Sequence, residues 1–230
     1  MWHKDMDEKT TQPALLFRLI PGYAILPLVL AVTVNGAGYF GIQKLSAYLH
    51  YYDFSLPLDG KIPFLPWFMY IYVLAYVQWI IGFITCARES REFCYRYLSA
   101  ELIAKVIALS CFLLLPTTIH RPPIVGDGMT AMLSRVVYGA DAPVNLFPSI
   151  HCLESWFCMR LAFQQKKTGR VYSCITSVYS ILVFASVVFV KQHVLVDIIG
   201  GILVFEIGIL LTRKHDFRRF YRKLELGKNG

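Results

Sequence analysis

The stretch VYSCITSVYSILVFASVVFV at residues 171–190, followed after Lys191 and Gln192 by HVLVDIIGGILVFEIGILL at residues 193–211, decides the fold. Each run has the length of about 20 residues that crosses roughly 30 Å of hydrocarbon as an α-helix. Backbone polar groups in lipid must be satisfied internally, so both runs are predicted to be helices and not open strands. The two-residue break between them predicts a tight helical hairpin in a membrane.

Four more apolar runs extend this pattern to six predicted transmembrane helices. They cover residues 19–41, 64–86, 102–119 and 147–163, each bounded by polar or proline-containing segments. The chain of 230 residues is 56% hydrophobic and only 17% charged, with a mean hydropathy of +0.50. A soluble domain of this size does not need such a composition. We therefore expect an all-α, polytopic membrane protein whose six transmembrane helices form one bundle.

Basic residues alternate between the connecting segments and predict the orientation. Sixteen lie in the N-terminal arm, the second and fourth connections and the C-terminal tail, against five in the other connections. The positive-inside rule places the richer side, and both termini, in the cytoplasm. We expect a cytoplasmic N-terminal arm at residues 1–12, a membrane catalytic domain at 13–212 and a basic cytoplasmic tail at 213–230. The first apolar run is long enough to remain as a span, so a cleaved signal peptide is not expected.

The net charge of +8 is explained mainly by this topology, so membrane lipids and not nucleic acids are the expected partners. The basic tail, with aromatic residues interleaved, is either a solvated end or a segment that lies on anionic headgroups. The six cysteines show neither a disulfide framework nor zinc-type spacing. Aromatic residues of the second span, such as Tyr72 and Trp79, are assigned to packing or to interface belts.

Two histidines at the predicted outer side of the membrane indicate a catalytic site. His193 and Asp197 are spaced i, i+4, so the carboxylate lies on the same helix face as the imidazole. It can fix the ring tautomer there and leave the other nitrogen as a nucleophile. His151, at the start of the fourth predicted span, is suited to be the general acid, and Arg121 and Lys191 supply cations. Together these residues predict a site for phosphoryl transfer.

The order of these residues resembles the type 2 phosphatidic acid phosphatase superfamily, which includes lipid phosphate phosphatases and haloperoxidases. Over about residues 115–205 the motifs read Arg-Pro at 121–122, Pro-Ser-Ile-His at 148–151, and Ser186 with His193 and Asp197. The resemblance implies that His193 is transiently phosphorylated, that Asp197 orients it and that His151 protonates the leaving group. It adds Ser149 and Ser186 to the residues expected to bind phosphate, and it implies six helices with an outward-facing site.

The chain also departs from the family pattern. The family has a lysine seven positions before the arginine of its first motif, where this chain has Leu114, and an arginine after the third-motif serine, where it has Val187. Ile150 replaces the glycine of PSGH. Two phosphate-binding cations are thus missing, and Lys191 is the candidate replacement for one. The pattern PTxxxRP, FPSxH and KQHxxxD is closer in style to the branch of inositol phosphorylceramide synthase, whose members can transfer a phospho-headgroup to an alcohol.

Alternative interpretations stay open. Glu154 is predicted either to orient His151 or to pair with Arg160, whereas Glu101 and Lys105 form a structural i, i+4 pair. His151 and Glu154, with His193 and Asp197, have ligand types that bind zinc or iron. A haem-bearing electron carrier and a transporter are further classes for a chain with several spans.

The sequence favours a lipid phosphatase of the cell membrane with its site on the extracytoplasmic side. It would hydrolyse a phosphate ester or pyrophosphate of a lipid through a phosphohistidine, without a metal or other cofactor. The alternative on the same residues is a phosphotransferase that passes the headgroup to a lipid alcohol.

Overall fold

A computed structural model describes residues 19–46, 48–214 and 217–226, and the chain is helical through most of these ranges. Its eight α-helices are α1 (Gly22–Ser46), α2 (Phe68–Glu89), α3 (Arg91–Leu114), α4 (Met129–Ala140), α5 (Ile150–Ala162), α6 (Arg170–Phe189), α7 (Leu195–Lys214) and α8 (Phe217–Leu226). The connections within the described ranges contain a 3-10 helix at Asp59–Lys61 and isolated β-bridges, but no β-strand. The all-α prediction is therefore confirmed there, while the predicted arm at 1–12 lies outside them.

Five of these helices, α1, α2, α3, α6 and α7, are long and apolar enough to cross a membrane. The sequence predicted a sixth span at residues 147–163, and that segment forms α5, which has only 13 residues and is about 20 Å long. Nine of these residues are buried because α5 packs against α2, α6 and α7. A helix enclosed by other helices need not match the thickness of the lipid, which explains its short length.

Two further segments differ from the sequence prediction. α3 begins at Arg91, directly after the break at Ser90, whose side chain caps it by accepting a hydrogen bond from Phe93 N. The sequence placed this charged stretch in a loop and started the span at residue 102. The long connection at 120–146 was also expected to be a loop, yet it contains the amphipathic helix α4.

Close contacts of α7 hold the bundle together. A Cβ added to Gly201 would lie 2.6 Å from the carbonyl oxygen of Ser149, and one added to Gly208 would collide with the carbonyl of Ala100. Only glycine permits this approach of α7 to the start of α5 and to α3. Gly200 likewise lies close to the ring of Phe147, so the Gly200–Gly201 pair permits close helix packing.

The short connections make neighbouring helices antiparallel, so the bundle has two distinct ends. We call the end with Leu114, Ile150, Phe189 and Leu195 the histidine end, and the opposite end, with its many basic residues, the basic end. At the basic end, helix α8 of the tail packs on α3: Tyr221 is buried, and its ring centroid lies 4.7 Å from that of Tyr95. The tail helix is therefore anchored to the bundle through this contact.

Candidate active site

His193 lies in the tight turn that joins α6 to α7. The backbone amides of Gln192 and His193 both donate to the carbonyl of Val187, at 2.9 and 3.0 Å. Asp197, one turn into α7, is fully buried; its Oδ2 lies 3.2 Å from His193 Nδ1 and accepts the amide of Val194 at 3.0 Å. The predicted His193–Asp197 pair is thus present. The carboxylate fixes both the ring and the start of α7.

His151 occupies the first turn of α5 and faces the same region. The amide of Ser149, the residue that caps α5, donates to the carbonyl of Asp197 at 3.1 Å, which joins the starts of the two helices. The ring centroids of His151 and His193 are 6.4 Å apart. His151 Nε2 is buried and has no hydrogen-bond partner. The structure therefore brings together the three residues predicted to be catalytic.

Aromatic side chains of α2 enclose the His151 ring. Tyr72 stacks on it at 4.0 Å between centroids, and Trp79 and Tyr76 meet it edge-on at 4.8 and 5.5 Å. The sequence analysis assigned Tyr72 and Trp79 to packing or interface belts and so missed this contact. The spacing 72, 76, 79 places them on one helix face and was the available signal.

A cavity of about 320 Å³ connects the two histidines; we call it the histidine cavity. Its apolar wall is formed by rings of α1, α2 and α3, namely Tyr39, Phe40, Tyr76, Trp79 and Phe112. The polar lining residues outside the histidines include Asp141 and Asn145, neither of which the sequence analysis selected. A second cavity, also of about 320 Å³, adjoins His193 and is lined by polar residues such as Asp53, Ser55 and His120.

Arg121 lies beside the histidine cavity. Its Nη1 donates to the carbonyl of Asp141 at 2.6 Å, its Nη2 donates to Gln192 Oε1, and its guanidinium lies 4.7 Å from the Tyr138 ring centroid. Burial lowers the pKa of Arg121 from its ordinary value, while the nearby Asp141 opposes that shift. Through Gln192, the cation is coupled to the turn that carries His193.

Lys191, the other predicted phosphate-binding cation, is directed towards the segment before α2. Its Nζ donates to the carbonyls of Asp59 and Ile62, at 3.1 and 2.7 Å, and burial lowers its pKa. The Asp59 carboxylate accepts the amides of Leu56 and Leu195, at 2.8 and 2.9 Å. Lys191 and Asp59 therefore fasten this segment to the start of α7.

The two serines predicted to bind phosphate are fully buried and bond the backbone. Ser149 Oγ accepts the amide of Cys152 at 3.3 Å as the cap of α5, and Ser186 Oγ donates to the carbonyl of Val183 at 2.8 Å. Neither lines the histidine cavity. Their roles in phosphate binding stay predictions.

Glu154 binds Lys105, and neither expected partner. Lys105 Nζ lies 2.5 Å from Glu154 Oε1 and 2.8 Å from Glu101 Oε1, which confirms the predicted pair of Glu101 and Lys105. Arg160 instead binds Glu206 at 2.9 Å. In the part of the chain that the structure describes, no three His, Cys, Asp or Glu side chains are grouped closely enough to hold a metal ion, and all six cysteines are unpaired.

Comparison with known families gives one match. The sequence profile of the PAP2 superfamily covers residues 51–211, which include His151, His193 and most of the residues that line the two cavities. None of the curated proteins and none of the solved structures matches the chain.

Proposed function

Because this chain belongs to the PAP2 superfamily, whose members are generally phosphatases or related phosphotransferases, we propose that it cleaves a phosphate ester of a lipid through a phosphohistidine on His193. The observation that carries this proposal is the pair of His193 and Asp197 facing His151 across one cavity. Hydrolysis by water is the proposed outcome, at the extracytoplasmic face that the charge pattern predicts.

His193 is the proposed nucleophile. The Asp197 carboxylate accepts a hydrogen bond from the Nδ1–H group of the ring. Nε2 therefore carries the lone pair that attacks phosphorus. As the P–N bond forms, positive charge develops on the ring, and the buried carboxylate stabilises it. The bond from phosphorus to the ester oxygen breaks in the same step.

His151 is the proposed acid and base. It gives a proton to the departing ester oxygen, and in the second step it takes a proton from the water that attacks the phosphohistidine. The 6.4 Å between the ring centroids leaves room for a phosphoryl group, because reacting atoms approach to about 3 Å before bonds form.

The walls of the histidine cavity support a lipid substrate. Aromatic rings of α1, α2 and α3 line it, and α1 packs against α3 while making little contact with α2. A substrate whose phosphate reaches the histidines can thus place its apolar body against these rings and between these helices. A soluble phosphate ester has no apolar body that would contact this wall.

The same residues support the second candidate, transfer of a phospho-headgroup to a lipid alcohol. In-line attack on the phosphohistidine must come from the face opposite Nε2 of His193, where the leaving group departed. The apolar wall lies around His151 on that face, so an alcohol with an apolar body is as well accommodated as water. The acceptor decides between hydrolase and transferase.

The test uses the purified full chain in lipid vesicles that contain phosphatidic acid, phosphatidylglycerophosphate, a polyprenyl pyrophosphate or phosphatidylinositol, with and without ceramide or diacylglycerol. Release of free phosphate from a monoester or pyrophosphate, or of a phosphomonoester from phosphatidylinositol, means a hydrolase, and a new phospholipid without such release means a transferase. His193→Ala should abolish turnover, and radiolabelled substrate should leave an acid-labile, base-stable phosphate on the wild-type chain only.

His50→Ala is the matched control, because this exposed imidazole meets Tyr52 edge-on outside the histidine cavity. Its activity should equal that of the wild type. Full turnover by His193→Ala, or no turnover of any of these lipids by the wild type, would contradict the proposed function.

A further inference from the structure

Asn145 is a buried amide with unused hydrogen-bonding capacity at the histidine cavity. Its side chain is 2% exposed and lines the cavity together with His151 and His193. Neither Oδ1 nor Nδ2 has a hydrogen-bond partner. Leaving a buried amide unpaired is costly, and such a group at the wall of a cavity is positioned to bind what enters it.

The backbone holds this amide in place. Asn145 has φ 58°, in the left-handed region, which asparagine, aspartate and glycine tolerate better than other residues. The backbone amide of Asn145 donates to the carbonyl of Thr117 at 3.1 Å. The hydroxyl of Thr117 accepts hydrogen bonds from the next two backbone amides, those of Leu146 and Phe147. The segment before α5 is therefore fixed around Asn145.

The charge around this cavity is unusual for a phosphate site. No lysine or arginine is among its described lining residues, and Asp141 places a carboxylate on its wall. Arg121 is bonded to the backbone of Asp141 and to Gln192, while Lys191 is bonded to the segment before α2. Amide and imidazole groups are therefore among the main polar groups of this cavity that can contact a substrate.

We infer that the Nδ2 group of Asn145 donates to a phosphoryl oxygen, and that the site selects a phosphodiester with one negative charge over a phosphomonoester. The inference rests on the proposed function and names its substrate class. Near pH 7 a monoester carries a charge of about −1.5 to −2, and Asp141 repels the extra charge. The two non-bridging oxygens of a diester share one negative charge. The Asn145 amide, the proton that His151 donates in the reaction and the electrostatic field of Arg121 are sufficient to bind them.

The reaction of a diester is balanced with the groups already described. His193 Nε2 forms a bond to phosphorus, one ester bond breaks, and the departing oxygen takes the proton of His151. The adduct on His193 still carries the second ester group. Water or an alcohol then attacks phosphorus, the P–N bond breaks, and His151 takes the proton of the attacking hydroxyl.

The experiment compares bis(4-nitrophenyl) phosphate with 4-nitrophenyl phosphate, which share a leaving group and differ in charge. For each, kcat/KM of the purified full chain in detergent is divided by the uncatalysed rate constant. The wild type should accelerate the diester at least about tenfold more than the monoester, the size of one partly screened charge repulsion. Mass spectrometry of the trapped adduct should find a nitrophenyl phosphate on His193.

Two variants suit the left-handed backbone at position 145. Asn145→Gly removes the amide without backbone strain and should lower kcat/KM for the diester about 100-fold, as loss of one oxyanion donor does. Asn145→Asp replaces the donor by a charge and should lower it further. Asp141→Asn removes a repulsive charge and should shift the selectivity about tenfold towards the monoester.

Gln165→Ala is the matched control, because Gln165 is also a buried amide with an unpaired Nε2 but lies at the basic end. It should stay within about twofold of the wild type, as expected for a site that does not touch substrate. A preference for the monoester, or an unchanged diester rate in both Asn145 variants, would overturn the inference. If His193→Ala still abolishes turnover in that case, the proposed function stands; if it does not, the proposed function fails as well.

Discussion

Helix α5 carries two polar clusters one turn apart, and they differ in whether they border a cavity. The outer cluster contains His151, whose Nε2 has no partner and which lines the histidine cavity. The inner cluster contains Glu154, which with Glu101 closes around Lys105. All three side chains of the inner cluster are at most 2% exposed, and none lines a cavity described above.

The difference separates two uses of buried charge in a membrane bundle. Ionisable residues inside a membrane are expensive and are taken by default as functional. The inner cluster pairs its charges among its own members and joins α3 to α5, although Glu101 Oε2 and Glu154 Oε2 accept no hydrogen bond. The outer cluster instead borders a cavity of substrate size. Access to a cavity, more than burial or an unpaired polar atom, marks the candidate reactive site.

The largest expected effect is on the outer cluster. His151→Ala should lower kcat by about 10²- to 10⁴-fold for a substrate with a poor leaving group, because that group then departs without a proton. A substrate with a good leaving group such as nitrophenol should lose much less. Rates for a series of leaving groups of graded pKa measure this, and thermal unfolding should show little change. A uniform loss across the series would contradict the acid role.

The next effect should fall on stability. Lys105→Met removes the cation between two buried carboxylates and should lower the free energy of unfolding by about 3–5 kcal/mol. Unfolding in detergent, followed by thiol accessibility of the buried cysteines, measures it. Activity per folded molecule should stay near that of the wild type. A large fall in kcat without a loss of stability would erase the distinction between the clusters.

A smaller effect is expected where α7 passes the start of α5. Gly201→Ala introduces a Cβ at 2.6 Å from the carbonyl of Ser149 and should cost about 1–3 kcal/mol of stability through overpacking. Because α7 carries Asp197, the same shift should lower kcat. Gly22→Ala is the control, since its added Cβ meets nothing within 4 Å. Equal behaviour of the two variants would show that helix spacing does not set the site.

The smallest effect should come from the hydrogen bond that lies between the clusters. Trp79 Nε1 donates to Ser155 Oγ at 3.2 Å, and Trp79→Phe removes this donor while keeping a ring near His151. The expected loss of stability is about 1 kcal/mol, measured by denaturant unfolding. Ser155→Ala should give a similar loss, and the double variant should cost less than the sum of the two. Full additivity would mean that the bond contributes nothing.

Apolar length predicted six spans, and five helices are long and apolar enough to cross a membrane, because lipid constrains the length of a helix only where the helix faces lipid. The predicted span at 147–163 forms the shorter α5, which is surrounded by protein and whose 13 residues end before the polar segment of residues 164–169. The start of α3 was missed for a related reason. Arg91, Glu92 and Glu101 read as a loop by charge, yet they lie in a helix because the break at Ser90 caps it and Lys105 neutralises Glu101.

The site followed from sequence only where spacing along one helix fixes geometry. The i, i+4 relation of His193 and Asp197 is local, so it was predictable, and family motifs added His151. Asp141 and Asn145 reach the cavity from the segment before α5, and Tyr76 reaches it from α2; no local pattern reports their convergence. Lys191 was selected because it is close to His193 in sequence; its ammonium bonds the carbonyls of Asp59 and Ile62, and it lines the second cavity together with His193. Its role in phosphate binding stays a prediction.

The fastening of residues 56–62 to the start of α7 has a practical consequence. The Asp59 carboxylate accepts the backbone amide of Leu195, and Lys191 donates to the carbonyls of Asp59 and Ile62. Residues 56–62 and the turn that carries His193 are therefore expected to move together. An epitope grafted there would disturb turnover. An environment-sensitive dye attached to a cysteine that replaces the exposed Leu58 would instead report changes in the position of the turn that carries His193.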